Sequence, residues 1–181
     1  MQPELTRRGA LGGAAAVLLA SCGEDDSQPN GEPRAGSGEA TLNSLVALEH
    51  AAAAAWEVIG ARLRGEAERY ARHIAARERA HAARLGALVS RLGGEPAAGR
   101  GPGGYDESFP VMRRAADALR FAADLEEELV RTHLDALRTL TDERQRRLVA
   151  GIVAEEAEDL AVVQVLAGGA AATQPFVTGT L

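Results

Sequence analysis

The chain contains no lysine. All 20 of its basic residues are arginine, set against 26 acids, for a formal net charge of −6. A balance of that sign disfavours a phosphate-binding surface, so nucleic acid is excluded as a partner. Aromatic residues make up only 3% of a chain that is 46% apolar. The apolar mass is therefore Ala, Leu and Val, which suits close-packed helices better than strands. The single cysteine, Cys22, excludes an intramolecular disulfide. Beyond the first 21 residues no apolar run is long enough to span a bilayer. What remains, in 181 residues, is enough for one domain with a substantial core.

Cys22 is explained by its setting. Arg7 and Arg8 form a short basic region, residues 10–20 are apolar, and Leu19-Ala20-Ser21-Cys22 follows. This resembles a bacterial lipoprotein signal, with cleavage before Cys22 and lipid on its sulfur. Residues 1–21 are then a signal peptide, and the protein is expected outside the cytoplasm, held to the cell membrane through the lipid. Thr6-Arg7-Arg8-Gly9-Ala10-Leu11 also resembles a twin-arginine export signal, with Ala10 where that consensus has Phe or Leu. Residues 22–40 are rich in Gly, Pro, Ser and acids and read as a flexible, disordered tether. Residues 41–181 are left for the folded domain.

Four helical stretches follow. The first, about 42–63, buries Leu42, Leu45, Val46, Ala53, Trp56, Ile59 and Leu63, with Thr41 as its cap. After a turn at Gly65 the second runs over about 66–92, with Tyr70, Ile74, Leu85, Leu88 and Leu92 on its stripe, and ends at Gly93-Gly94. Residues 93–107 hold six glycines and two prolines, which excludes a helix there. Ser108 or Asp106 is expected to cap a third helix, about 109–140. Thr141-Asp142 turns the chain into a fourth, about 142–167. Connections in the order short, long, short are what two antiparallel hairpins joined by a crossover require. The fold class is all-α, an antiparallel four-helix bundle with a long crossover between helices 2 and 3.

Acids interrupt these apolar stripes. Glu49, Glu78 with His81, Glu126, and Glu156 with Asp159 each lie among residues that should be buried. Glu and His three apart share one helix face and can close on one ion. Glu49, His81, Glu126 and Glu156 each lie about 14 residues, or about 21 Å, from their own hairpin turn. Within each hairpin the acids meet at one level, and a full-length crossover brings both levels to mid-bundle. Carboxylates gathered in an apolar interior repel one another and require protons, a cation or arginine. Arg77 is the arginine placed to serve. The competing reading of each acid is a paired or solvated side chain with no ligand.

Leu45-Val46-Ala47-Leu48-Glu49-His50, Glu78-Arg79-Ala80-His81, Asp124-Leu125-Glu126-Glu127 and Glu155-Glu156-Ala157-Glu158-Asp159, with the closing Pro175-Phe176-Val177-Thr178-Gly179, resemble the ferritin-like four-helix family. The likeness is to its exported bacterial lipoprotein members of unassigned function, and it covers residues 41–179. In carboxylate-bridged relatives two helices each give a Glu and two each give Glu-x-x-His. The resemblance thus implies a metal set of Glu49, Glu78, His81, Glu126, Glu156 and Asp159, holding one or two iron or manganese ions. Asp159 departs from the pattern, standing where a histidine is expected, and an imidazole-poor site leans toward harder cations. His133, on the Glu126 stripe, is a candidate neighbour of the site. His50 and His73 read as surface groups, Trp56 and Tyr70 as core packing.

Two functions compete. One is a membrane-anchored protein that binds iron or manganese and oxidises Fe(II) with oxygen or peroxide. The other is a metal-free, degenerate bundle acting as a binding or scaffolding module of the envelope. The membrane is the expected partner through the lipid on Cys22; a homodimer is left open, and no motif points to another protein.

Overall fold

A computed structural model describes residues 37–101 and 103–168. The signal segment, Cys22, most of the tether and the closing Pro175-Phe176-Val177 lie outside the described residues. The architecture is the expected all-α bundle: α1 (Ser37–Gly60), α2 (Gly65–Arg91), α3 (Ala115–Thr139) and α4 (Glu143–Leu166). No helix among the described residues is long and apolar enough to cross a membrane.

α1 packs on α2 and α3 on α4, while α1 also meets α3 and α2 meets α4. The connection between the hairpins runs the length of α1. Asn43, near the start of α1, donates from Nδ2 to the Glu95 carbonyl (2.9 Å) and accepts from the Ala97 N–H (2.6 Å). At the far end, Arg62 Nε donates to the Met112 carbonyl (2.9 Å). α3 therefore starts where α1 ends and runs antiparallel to it. This is the ferritin-like arrangement, and it sets the mid-points of all four helices at one level. Phe109 packs at 6.3 Å from Tyr105 and 6.0 Å from Phe121, fastening the end of the crossover to α3.

Sequence chemistry accounts for most of the helix ends. At the end of α2, Gly93 takes φ +87°; its N–H reaches the Ser90 carbonyl, and the Gly94 N–H reaches that of Val89. This is a Schellman closure, which demands a left-handed residue where Gly93 stands. Asp142 caps α4 as expected, its carboxylate accepting from the Gln145 N–H at 2.9 Å. Removing that cap by Asp142→Ala should cost about 1 kcal/mol. Thermal unfolding followed by circular dichroism would show this as a drop of about 3–5 °C.

Two starts differ from expectation. α1 begins at Ser37, one turn before Thr41, because Glu39 favours the positive end of the helix dipole. The bare Gly38 also lets this end close against Gln145 of α4. α3 begins at Ala115, after Ser108 and Asp106 have been used in a short 3-10 turn. Pro110 disfavours helical backbone at Phe109. Asp117 instead accepts the Arg113 and Arg114 N–H groups at the true start. Leu92, expected in the core, caps α2 and is 46% exposed. The core is built on Trp56, Ile59, Ile74, Leu85, Leu129 and Ile152, all buried.

Candidate metal centre

Seven ionisable side chains in this core have no solvent exposure at all: Glu49, Glu78, His81, Glu126, His133, Glu156 and Asp159. All six residues expected to form the site are among them. Each faces inward because it occupies a helical step that is otherwise apolar, so the helix cannot turn it out without exposing its neighbours.

These residues fall into two overlapping sets. Glu49, Glu78, His81 and Glu156 can each offer one ligand atom, all within 4.8 Å of one another; so can Glu78, Glu126, Glu156 and Asp159. Glu78 and Glu156 belong to both sets. Glu49 with His81 completes one, and Glu126 with Asp159 completes the other.

The oxygens of these carboxylates are used in two ways. On the three residues that belong to one set, one oxygen is approached by a donor from outside the cluster. Glu126 Oε1 accepts from Trp56 Nε1 (2.7 Å), and Asp159 Oδ1 accepts from Tyr70 OH (2.8 Å) and from Arg77 Nη2. Glu49 Oε1 lies 2.8 Å from His133 Nε2, without hydrogen-bond alignment. On the two shared residues, Glu78 and Glu156, all four oxygens are buried without a hydrogen bond, as are Glu126 Oε2 and Asp159 Oδ2. Buried carboxylate oxygens with no donor are costly. Here they converge on one small volume, with a side-chain nitrogen, His81 Nδ1, also lacking a partner.

The histidines are oriented from behind. His81 Nε2 lies 2.7 Å from Glu155 Oε2, and Arg84 Nη2 holds the same oxygen at 2.8 Å. That leaves His81 Nδ1 facing Glu156 Oε1 (2.8 Å), Glu78 Oε2 (3.3 Å) and Glu49 Oε2 (3.6 Å). Hydrogen bonding at one ring nitrogen is how a protein presents the other as a ligand. His133 Nδ1 is held by the Leu129 carbonyl at 2.8 Å, one turn back on α3.

The crowding moves proton affinities in opposite directions. Burial pushes Glu49 up, but His133 and His81 outweigh it and hold the carboxyl at about 2. Burial raises Glu78 well above the usual range; His81 opposes this, while the charges of Glu156 and Glu49 add to it. Glu126 is raised as well, by burial and then by Glu156 and Glu78, with Trp56 opposing. Burial lowers His81, yet Glu156, Glu49 and Glu78 lift it to about 12. His133 is raised in the same way, Glu49 outweighing burial. Arg84 holds Glu155 below the usual range against burial, with help from His81.

Helical periodicity alone did not point to Glu155, Arg84 or the hydrogen bonds of Trp56 and Tyr70. Trp56 and Tyr70 do pack in or beside the core, as expected, but each also places its polar atom on a cluster carboxylate. The available signal was spacing: Tyr70 and Arg77 are two turns apart, and Arg84 two turns beyond Arg77, on one side of α2. Which acid they would meet depends on α4, which no local pattern fixes.

The model of a family described as "Domain of unknown function (DUF4439)" matches residues 41–170. No curated protein matches the chain.

Proposed function

We propose that this chain, which belongs to the DUF4439 family, holds one or two iron or manganese ions at the centre of its bundle. One observation carries the reading: buried carboxylate oxygens and an imidazole nitrogen, all without hydrogen bonds, converge in two sets that share Glu78 and Glu156. The donor set fits the group. Hard carboxylates with a single nitrogen suit iron(II) or manganese(II) rather than the softer metals that take thiolates. Glu126 and Asp159 would each offer one oxygen while a donor fixes the other. Glu78 and Glu156, with both oxygens free, suit bridging.

Bound iron would supply one-electron chemistry toward oxygen or peroxide, and the activity proposed is oxidation of Fe(II). The chain's own part is to hold and space the ions, to exclude bulk water, and to present His81 Nδ1 through Glu155. We further propose that the protein works outside the cytoplasm, anchored to the membrane by lipid on Cys22 behind the tether.

A second reading is favoured by a specific feature: Arg77, His81 and His133 already stand among the acids. A cluster neutralised by its own cations and protons needs no metal and would leave a scaffolding module. Loading the purified full-length chain with Fe(II) in air, then measuring bound metal and the melting temperature, separates the two. The metal reading expects at least one ion per chain and a melting temperature that rises and falls back with a chelator. Less than a tenth of an ion per chain, with no thermal shift, would leave the scaffold.

A further inference from the structure

The two ligand sets are unequal in charge. Each shares Glu78 and Glu156, but one is completed by Glu49 and a neutral-capable imidazole, the other by Glu126 and Asp159. The second therefore carries one more carboxylate. Opposite that extra carboxylate stands Arg77, whose Nη2 donates to Asp159 Oδ1 beside the hydroxyl of Tyr70. Arg77 is only 19% exposed and Asp159 not at all. Asp159 Oδ2 is left buried and without a hydrogen bond. A guanidinium cannot shed its proton under any condition a protein meets. Its charge stays in place whether or not an ion enters.

Resting on the metal-binding reading above, we propose that Asp159 and Arg77 act together as one neutral ligand unit. Arg77 is the fixed counter-cation that cancels the additional charge of Asp159, so that the set Glu78, Glu126, Glu156 and Asp159 holds a second divalent ion through oxygen alone. In this arrangement a divalent ion faces a locally balanced site, as it does beside His81. Without Arg77 the same oxygens would carry an uncompensated buried charge. The unit makes the centre dinuclear and unsymmetrical: one ion has a nitrogen donor, the other is in an all-oxygen environment that favours hard cations such as manganese(II). Arg77 is thus a positioning residue, acting through Asp159.

The test is Mn(II) binding to the full-length chain, counted by elemental analysis and read by electron paramagnetic resonance, which separates a coupled pair from an isolated ion. The unaltered chain should take up two ions per chain with a coupled spectrum. Arg77→Met keeps the length of the side chain and removes the charge. It should leave the first ion in place, weaken the second by about 10–100-fold, and give the isolated-ion spectrum. Arg77→Lys, which restores a positive charge, should recover the pair. A general loosening of the bundle would instead weaken both ions together and overturn the proposal; the unpaired Asp159 of Arg77→Met lowers the metal-free melting temperature in either case. If Arg77→Met left the second ion unaffected or bound it more tightly, Arg77 would be a bystander or a competitor, and the proposal would fall. A single ion in the unaltered chain would overturn it too, while sparing the metal-binding reading; no bound ion at all would remove both.

Discussion

Glu78→Gln is expected to raise the melting temperature of the metal-free protein by several degrees and to abolish the proposed binding of two ions, whereas Glu49→Gln should lower that temperature. The same chemical change, at the same depth in the bundle, has opposite signs because the two carboxyls are in different company. Glu49 faces His133 at 2.8 Å and His81 at 3.6 Å, and those cations hold it at about 2 against burial. Its negative charge is part of what keeps two buried histidines in place. Removing it leaves them facing a neutral amide, and breaking a buried charge pair costs about 3–5 kcal/mol. Glu78 has one histidine near it, His81 at 3.3 Å, which Glu49 and Glu156 share, and burial together with Glu156 and Glu49 disfavours its charged form. Glutamine copies the neutral form without the proton uptake that this carboxyl needs on folding, so the empty bundle gains stability. Yet Glu78 stands in both ligand sets, so the substitution that strengthens the empty bundle would remove a residue that both proposed ions would share. Calorimetric unfolding of both variants in chelator, followed by metal titration, checks the pair. Equal destabilisation by both would show that the carboxylates are interchangeable hydrogen-bonded core groups.

Much of this is legible in the sequence as depth along the helices. An α-helix rises by a constant amount per residue. Counting from the turns at Gly65 and Thr141 therefore placed Glu49, His81, Glu126 and Glu156 at one level before any tertiary contact was known. The long crossover was legible as well, since a glycine- and proline-rich stretch between two apolar periodic ones can only be a connection. Less visible was everything that depends on rotation about a helix axis and on neighbours across a gap. Glu155 adjoins Glu156, and helical periodicity puts Glu156, not Glu155, on the apolar face with Ile152 and Val163. In the fold Glu155 reaches over the edge of α4 to His81, where Arg84 secures it. Trp56 read as apolar bulk, because the stripe records that a side chain is inside and not where its one N–H points. The early start of α1 follows from Glu39 and from the close approach of Gly38 to Gln145, and the late start of α3 from the Asp117 cap beyond Pro110.

The second large effect is a reversal of pH dependence on metal loading. In the metal-free protein Glu49, held at about 2, contributes stability that is present above the ordinary carboxyl range and lost as pH falls toward 2. Glu78 and Glu126 are raised, so their contribution is present in acid and lost as pH rises through their folded values. His81 is raised to about 12; its contribution is complete below about 6.5 and declines as pH rises above that. Between pH 5 and 9, therefore, Glu49 is constant, while Glu78, Glu126 and His81 all act in the same direction. In this window the folded state binds more protons than the unfolded chain, so stability falls with pH. The empty bundle should melt at progressively lower temperature over this range. Metal binding requires Glu78 and Glu126 ionised and the His81 ring neutral, so protons leave as the ion enters and affinity rises with pH. At saturating Mn(II) the melting temperature should therefore hold level or climb between pH 5 and 8, and the gap between loaded and empty protein should widen steadily. Thermal melts at unit pH steps, with and without Mn(II), test this, and proton release measured in buffers of different ionisation enthalpy gives an independent count. Parallel curves in the two conditions would mean that the ion, wherever it sits, does not displace the protons that hold these acids together.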